Sequence, residues 1–357
     1  MYEFESMLSN RKILITGHSG FTGSWLALWL GEIGAEVFGV SLEPTTSPSL
    51  FDVLKIKDKV NNNFFDIRQF QELDNFIQRI EPEVIIHLAA QSLVHDSYFN
   101  PLDTISTNVM GTVNVILAAQ NSASTKCVVV ITSDKVYGSN EENDYFDENS
   151  MIIGSTDPYS ASKSASELLI KSLRNIGFGK NLPKILVARG GNIIGGGDWS
   201  RNRLIPDFVD AIVNSRNLEI RNPSSVRPWQ HVLCLVHGYL KLASYGLNSA
   251  SDATLSSWNF GPDSTDHWKV DEIIQRASLE WFPPSLVYKV KPNIRESKAI
   301  YLNSGLAKKH LNWVTPWNLD AAIQNTIKWY RTYYENKTEM FQFTRSQLNE
   351  YRELIPE

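Results

Sequence analysis

Cysteine is nearly absent: Cys127 and Cys234, far apart in the chain, are the only two in 357 residues. A disulfide framework is thereby excluded, and without Cys-x-x-Cys or Cys/His spacing a structural zinc has no ligand set. Both thiols are expected to serve as small buried hydrophobes. No stretch approaches the ~18 consecutive apolar residues that read as a membrane span, and Met1–Asn10 has no basic region followed by an apolar one. Neither export nor a membrane partner is indicated, and a cytoplasmic location is expected. Cationic charge is not in excess either, with 34 Lys and Arg against 39 Asp and Glu, a net charge of −5 and no basic stripe. Nucleic acid is therefore not expected as a partner. The seven histidines form no metal-ligand cluster, so no metal is expected, and repeats and low-complexity tracts are missing. What is present is 42% apolar and 20% charged residues, enough for one large core or two lobes.

Apolar segments rich in Val, Ile or Phe at 12–17, 36–41, 63–66, 84–90, 126–132 and 184–189 read as parallel strands, with helical patterns between most of them. That rhythm predicts an α/β fold: a doubly wound parallel sheet of the Rossmann type. After about residue 190 the alternation breaks into glycines, prolines and tryptophans, and Ser257–Gly261 reads as a late strand returning to the sheet. A smaller, discontinuous α+β lobe follows from this. The expected division is 10–191 plus about 228–262 for the sheet domain, about 192–227 plus 263–340 for the second lobe, and 341–357 as a polar C-terminal extension. The late tryptophans, from Trp199 to Trp329, are expected mostly to fill a core.

Arg11–Thr16 runs directly into Gly17-His18-Ser19-Gly20-Phe21-Thr22-Gly23, and the apolar helical pattern Trp25, Leu26, Leu28, Trp29, Ile33 follows. This is strand, glycine turn, helix. Glycines allow positive φ and close backbone approach, and a helix N-terminus offers free N–H groups to a pyrophosphate. A tight turn with a packing glycine would read the same way. His18 inside the turn can face a ligand or solvent.

The segment Thr132-Ser133-Asp134-Lys135-Val136-Tyr137-Gly138 ends an apolar run, and Tyr159-Ser160-Ala161-Ser162-Lys163 opens a helical stretch. If 157–176 is helical, Tyr159 and Lys163 share a face, and the lysine charge is expected to lower the phenol's pKa and make tyrosinate a usable base. Because strand neighbours point to opposite faces, Asp134 and Lys135 can act on one molecule only if the backbone turns. An irregular turn is therefore expected near Ser133.

Further segments complete a pattern: Asp66-Ile67 near the third strand, His87-Leu88-Ala89-Ala90 at the end of the fourth, Asn108 in Asn108–Thr112, and Asn192 in Arg189–Gly195. In this order, and over nearly the whole chain, they resemble the extended short-chain dehydrogenase/reductase family. Asp134-Lys135, with Gly195–Trp199, Arg203–Asp207 and Arg227–Val232, looks most like the sugar-nucleotide 4,6-dehydratases, in particular those acting on CDP-glucose. The resemblance implies NAD held by Gly17, Ser19, Gly20, Phe21, Thr22, Gly23, Asp66, Ile67, Leu88, Ala89, Ala90, Asn108, Thr132, Tyr159 and Lys163. It implies a nucleotide-sugar substrate held by Asn192, Arg203, Leu204 and Arg227, and catalysis by Ser133, Asp134, Lys135, Tyr159 and Lys163. The implied reaction oxidises carbon 4 of the hexose, eliminates water across carbons 5 and 6, and returns the hydride to carbon 6.

The elimination needs a base at carbon 5 and an acid at the carbon 6 hydroxyl. Lys135 can be that base if its pKa is lowered, or it can stay charged and stabilise the enolate. Glu43, with no arginine nearby for a 2′-phosphate, favours NAD if it bonds the ribose, though it can equally be a solvated loop carboxylate. By resemblance, helices near 101–120 and 157–176 form a homodimer interface. His95-Asp96 and Val136-Tyr137 depart from the residues usual in similar chains, which leaves another 4,6-dehydratase or a 4-epimerase as alternatives. A non-catalytic NAD-binding protein is the third reading.

Overall fold

The computed structural model describes residues 1–138, 144–174, 182–248, 255–263, 266–288, 299–335 and 339–356. Seven parallel strands form the main sheet: β1 (Lys12–Thr16), β2 (Glu36–Ser41), β3 (Asn61–Phe64), β4 (Val84–His87), β5 (Cys127–Ser133), β6 (Lys184–Gly190) and β7 (Ser257–Phe260). Their spatial order is 3-2-1-4-5-6-7, so the chain starts in the middle, winds outward to β3, then crosses back past β1. The expected doubly wound sheet is borne out. Boundaries shift by up to three residues: β3 is 61–64 instead of 63–66, β4 stops at His87 instead of residue 90, and β6 runs on to Gly190. The apolar Leu88-Ala89-Ala90 lies beyond the ladder because it lines a cleft, so hydrophobicity there does not mean strand.

Helices α1 (Phe21–Glu32), α2 (Phe70–Ile80), α3 (Gly111–Asn121), α4 (Pro158–Leu173), α5 (Val232–Leu247), α6 (Leu319–Glu335) and α7 (Met340–Glu353) complete the framework. Strand residues alternate between two cores, as a period of two requires. Ile13, Ile15, Ile86, Val129 and Ala188 pack toward α1 and α5, whereas Leu14, Ile85, Val128, Val130 and Val187 pack toward α2, α3 and α4. Helix α1 is apolar all round because it is enclosed, with Trp25, Leu26, Trp29 and Leu30 fully buried. Its indoles find partners: Trp25 Nε1 donates to Gly196 O at 3.0 Å and Trp29 Nε1 to Glu5 Oε1 at 2.8 Å. Trp258, Trp313 and Trp329 are likewise buried core residues, as are both free cysteines.

The stretch expected as one helix over 101–120 is helical but broken in register. Pro101–Ile105 is α-helical, Ser106–Met110 is a π-helical turn, and α3 resumes at Gly111. Helix α4 starts at Pro158 and ends at Leu173; residues 175 and 176 of the expected span lie outside the described residues. Outside the main sheet the strands pair off as three two-stranded parallel ladders, Asn192–Ile194 with Trp229–His231, Leu218–Ile220 with Leu286–Tyr288, and Asp144–Phe146, from between β5 and α4, with Ile300–Leu302. Among the described residues no helix is long and apolar enough to cross a membrane.

The two chain ends meet. Glu5 is fully buried and accepts from Arg352 through Nε at 2.8 Å and Nη2 at 2.9 Å, while the Tyr2 hydroxyl donates to Ile355 O at 3.1 Å. The polar-looking α7 thus buries Met340, Leu348 and Tyr351 against the core.

Candidate active site

The carboxyl ends of β1, β4, β5 and β6 open into a cleft of about 680 Å³, where the strand order reverses. This is the crevice where open α/β sheets bind ligands. Gly17, Ser19, Gly20, Phe21, Thr22 and Gly23 form one wall; Asp66, Ile67, Leu88, Ala89 and Ala90 form the next. Thr132, Ser133, Asp134, Lys135, Tyr159 and Lys163 face them, with Asn192, Arg203 and Leu204 at the far side.

The glycine turn divides into two jobs. Gly17 has φ +81, and a Cβ there would sit 2.7 Å from Ala89 N; a Cβ on Gly23 would sit 2.1 Å from Gly17 O. These two are packing glycines. Gly20 caps α1, and a Cβ there would meet only Gly17 O, at 3.4 Å, so its bare face leaves room on the cleft side. The first N–H groups of α1 lack intrahelical acceptors and lie beside this gap, a cradle that suits a diphosphate. His18 takes neither expected position: it is fully buried, packs on Phe51 and Phe64, and bonds Asn62 Oδ1 through Nε2 at 2.9 Å. Its ring occupies the space over Gly39 on β2, which is why it turns away from the cleft.

Behind the second wall, His87 fixes the loop. Thr112 Oγ1 donates to Asn108 O at 2.6 Å, so it accepts from His87 Nε2–H at 2.9 Å, and Nδ1 accepts from Thr16 Oγ1 at 2.7 Å. Burial pulls the His87 pKa down to about 3, with the Lys163 charge adding to it, so the ring stays neutral. Asn108 does not line the cleft. From the π-turn its amide bonds Gln91 N at 2.8 Å, Gln91 O at 3.0 Å and Ser162 Oγ at 2.9 Å, tying the loop after β4 to α4.

An irregular turn does follow β5: Asp134–Val136 is a single 3₁₀ turn capped by Ser133, whose Oγ accepts from Lys135 N at 3.2 Å. Ser133 Oγ donates to Asp134 Oδ1 at 2.7 Å, while Asp134 Oδ2 is buried without a partner among the described residues. Helix α4 is started by Asp157, which accepts from Ser160 N at 2.8 Å, and by Pro158 at its first position. Its buried serines allow close approach, Ser164 Oγ bonding Val136 O at 3.2 Å and Ser166 Oγ bonding Asn108 O at 2.8 Å. Tyr159 and Lys163 therefore stand side by side over the cleft, and Tyr159 hydrogen-bonds Ser133.

The expected lowering of the Tyr159 pKa is not found. Burial pushes the phenol up to about 12, with the Ser133 hydrogen bond opposing and the Asp134 charge adding to the rise. Burial likewise pulls Lys163 down to about 8, and its Nζ donates to Ile131 O at 3.3 Å. Desolvation exceeds the pairwise attraction assumed from helical spacing.

Of the cationic candidates, Arg203 lines the cleft, held by Asp198 Oδ2 at 2.8 Å and reaching Ser92 Oγ at 3.1 Å. Arg227 is buried off the cleft wall, with Nη1 on Val226 O at 2.8 Å. The Arg-Pro-Trp segment instead presents Trp229 to the cleft. Glu43 is also on the wall, beside Ser41 and Leu42. Sequence reasoning missed Tyr239, a buried phenol on α5 that lines the cleft without a hydrogen-bond partner among the described residues. It lies mid-helix among apolar neighbours and carries no motif.

A family model described as GDP-mannose 4,6 dehydratase matches residues 14–326. The chain belongs to the GDP-mannose 4,6-dehydratase family. Among its relatives, the CDP-glucose 4,6-dehydratase of Salmonella typhimurium is 37% identical over 350 residues, covering 96% of both chains. A UDP-glucose 4-epimerase of Mycoplasma genitalium is 25% identical, covering 91% of this chain and 98% of that one. Among solved structures, the dTDP-glucose 4,6-dehydratase of Bacillus anthracis in complex with NAD superposes with a TM-score of 0.75 at 21% identity, covering 94% and 99%. Family membership agrees with the short-chain dehydrogenase/reductase resemblance drawn from the motifs.

Proposed function

We propose that this chain dehydrates a nucleotide-linked hexose, CDP-glucose, to the 4-keto-6-deoxy sugar. The observation that carries the reading is the buried, unpartnered Asp134 Oδ2 beside Lys135, in the same cleft as Ser133, Tyr159 and Lys163. A buried carboxyl oxygen without a protein partner is open to bond the 6-hydroxyl of a bound hexose, where the leaving group requires an acid. A 4-epimerase has no need of it, which places that alternative second.

The glycine cradle and the open face of Gly20 fit the diphosphate of a dinucleotide, and Glu43 beside Leu42 favours NAD over its 2′-phosphate analogue. When bound, NAD supplies a hydride acceptor for carbon 4 and the donor for carbon 6. The chain's own groups move the protons. Tyr159, beside Ser133, is the group placed to take the proton of the 4-hydroxyl; because burial raises its phenol in the empty cleft, that role requires the positive charge of Lys163 together with that of bound NAD to bring it down. Asp134 protonates the departing 6-hydroxyl, and Lys135 faces carbon 5 as base or as a cation beside the enolate. Arg203, held by Asp198, and Asn192 steady the nucleotide sugar; Arg227 serves as a buried support.

In this reading residues 10–191 with about 228–262 hold the cofactor, about 192–227 with 263–340 hold the nucleotide sugar, and 341–357 extend them. The enzyme works as a cytoplasmic homodimer. Exposed Phe99, Leu102, Ile105 and Met110 before α3, with Leu168 and Leu169 on α4, support a helical interface. Unpaired, buried thiols are in keeping with a reducing compartment. Incubating the purified protein with CDP-, dTDP-, GDP- and UDP-hexoses and following loss of water by mass spectrometry tests the assignment. Dehydration of CDP-glucose is expected; no dehydration of any of them sinks it.

A further inference from the structure

We infer that Arg189 is a positioning residue that clamps both ends of the Asp134–Lys135 turn, an inference that rests on the elimination role proposed for those two residues. Arg189 stands on β6 directly across the ladder from Thr132 and is almost fully buried. Its Nε bonds both oxygens of Glu167 at 3.0 Å and its Nη2 bonds Oε2 at 2.6 Å. Glu167 Oε1 in turn accepts from Thr132 Oγ1 at 2.6 Å, the residue just before Ser133.

The other arm of the guanidinium reaches the far end of the turn. Nη1 donates to the Tyr137 hydroxyl at 2.6 Å, which donates to Asn259 Oδ1 at 2.7 Å, and the guanidinium lies 5.1 Å from the Tyr137 ring centroid. The Tyr137 ring stacks on Phe146 at 4.7 Å. Residues 132 and 137 are thus fixed through one cation. Between them Val136 is anchored through its carbonyl, which accepts from Gly154 N at 2.9 Å, Ile153 N at 3.1 Å and Ser164 Oγ at 3.2 Å, whereas Asp134 has only the Ser133 hydroxyl on Oδ1 and Tyr137 N on its carbonyl at 3.2 Å. The bracket adds to these bonds the fixing of both flanking residues, and so shares in setting where Asp134 Oδ2 and the Lys135 amine point. Tyr159 and Lys163 take their places from α4, which also carries Glu167, and the Tyr137 hydroxyl link bonds neither of them.

This separation makes a structural role distinguishable from a positioning one. Tyr137→Phe keeps the ring stack and the Arg189–Glu167 pair while deleting the hydroxyl link; Arg189→Lys keeps the charge while deleting the fork. Elimination is expected to slow by about ten- to a hundredfold in Tyr137→Phe, the scale of a misplaced catalytic group, with the rate of carbon 4 oxidation in the first turnover unchanged. The isotope effect with carbon-5-deuterated CDP-glucose should rise accordingly, and amide hydrogen exchange at residues 134–137 should quicken in the free protein. Unchanged elimination and exchange, or oxidation and elimination falling in proportion, overturns the inference; Arg189→Lys is read by the same split wherever it folds. Failure of the unmodified enzyme to dehydrate CDP-glucose would instead remove the functional reading beneath it.

Discussion

At the scale of single residues, the site carries groups whose burial works against stability. Lys163, pulled down to about 8 from the ordinary 10.5, gives up its proton more readily in the native state than in the unfolded one. Below pH 8 both states are protonated and the fold bears the whole burden of a desolvated ammonium, about 3 kcal/mol from the shift; the burden fades as pH rises from 8 toward 10.5. Lys163→Met should accordingly stabilise the cofactor-free protein by about 1–3 kcal/mol in urea melts at pH 6.5, with the gain shrinking toward pH 10, and abolish dehydration. A gain that persists undiminished at pH 10 would show that burial of charge is not its source. Asp134→Asn keeps size and polarity but cannot give up a carboxyl proton, so the 4-keto, 6-hydroxy intermediate should accumulate, with elimination down by at least ~100-fold. Equal loss of oxidation, measured in single-turnover absorbance, would count against its acid role. That these residues meet in one cleft was legible because they follow one another in a fixed order at a strand end and a helix start. The Tyr159 pKa direction was not, since helical spacing reports a neighbour's charge and says nothing of how much water both groups lose.

At the scale of elements, the strand-turn-helix at Gly17–Glu32 was readable as a unit, yet which glycine does what became visible only in three dimensions. Gly23 faces Gly17 O and Gly20 faces the cleft, a distinction set by the geometry of the turn and not by spacing. Gly23→Ala should destabilise by more than about 2 kcal/mol, because the oxygen it strikes is backbone and cannot rotate away. Gly20→Ala, at an ordinary φ of −76, should melt within about 0.5 kcal/mol of the parent yet bind NAD about tenfold more weakly by calorimetric titration. Equal melting of the two variants would refute the division of labour. The π-turn at Ser106–Met110 left no trace in the apolar pattern, because a one-residue insertion changes register without changing composition. The turn after β5 could be foreseen for a stereochemical reason: two neighbouring side chains on one molecule are incompatible with a continuing strand.

At the scale of the whole molecule, the doubly wound parallel sheet followed from alternation, whereas closure of the chain ends did not. Glu5 and Arg352 are too far apart for any pattern to pair them, and only packing of α7 against the core brings them together. The surface poses the opposite question, since its apolar residues are grouped without an internal partner to explain them. Leu102 is 82% exposed, Phe99 72% and Leu168 58%, on helices whose buried faces already hold Thr104, Asn108 and Ser162. A patch of this kind in solution favours association, and a two-fold pairing of like helices would cover it on both copies at once. Leu102→Glu with Leu168→Glu places like charges on both sides of such an interface. The parent is expected to sediment as a dimer and the double variant as a monomer, with far-ultraviolet circular dichroism unchanged because neither side chain supports the fold. A monomeric parent, or a variant that stays dimeric, would mean that these helices meet something other than a second copy.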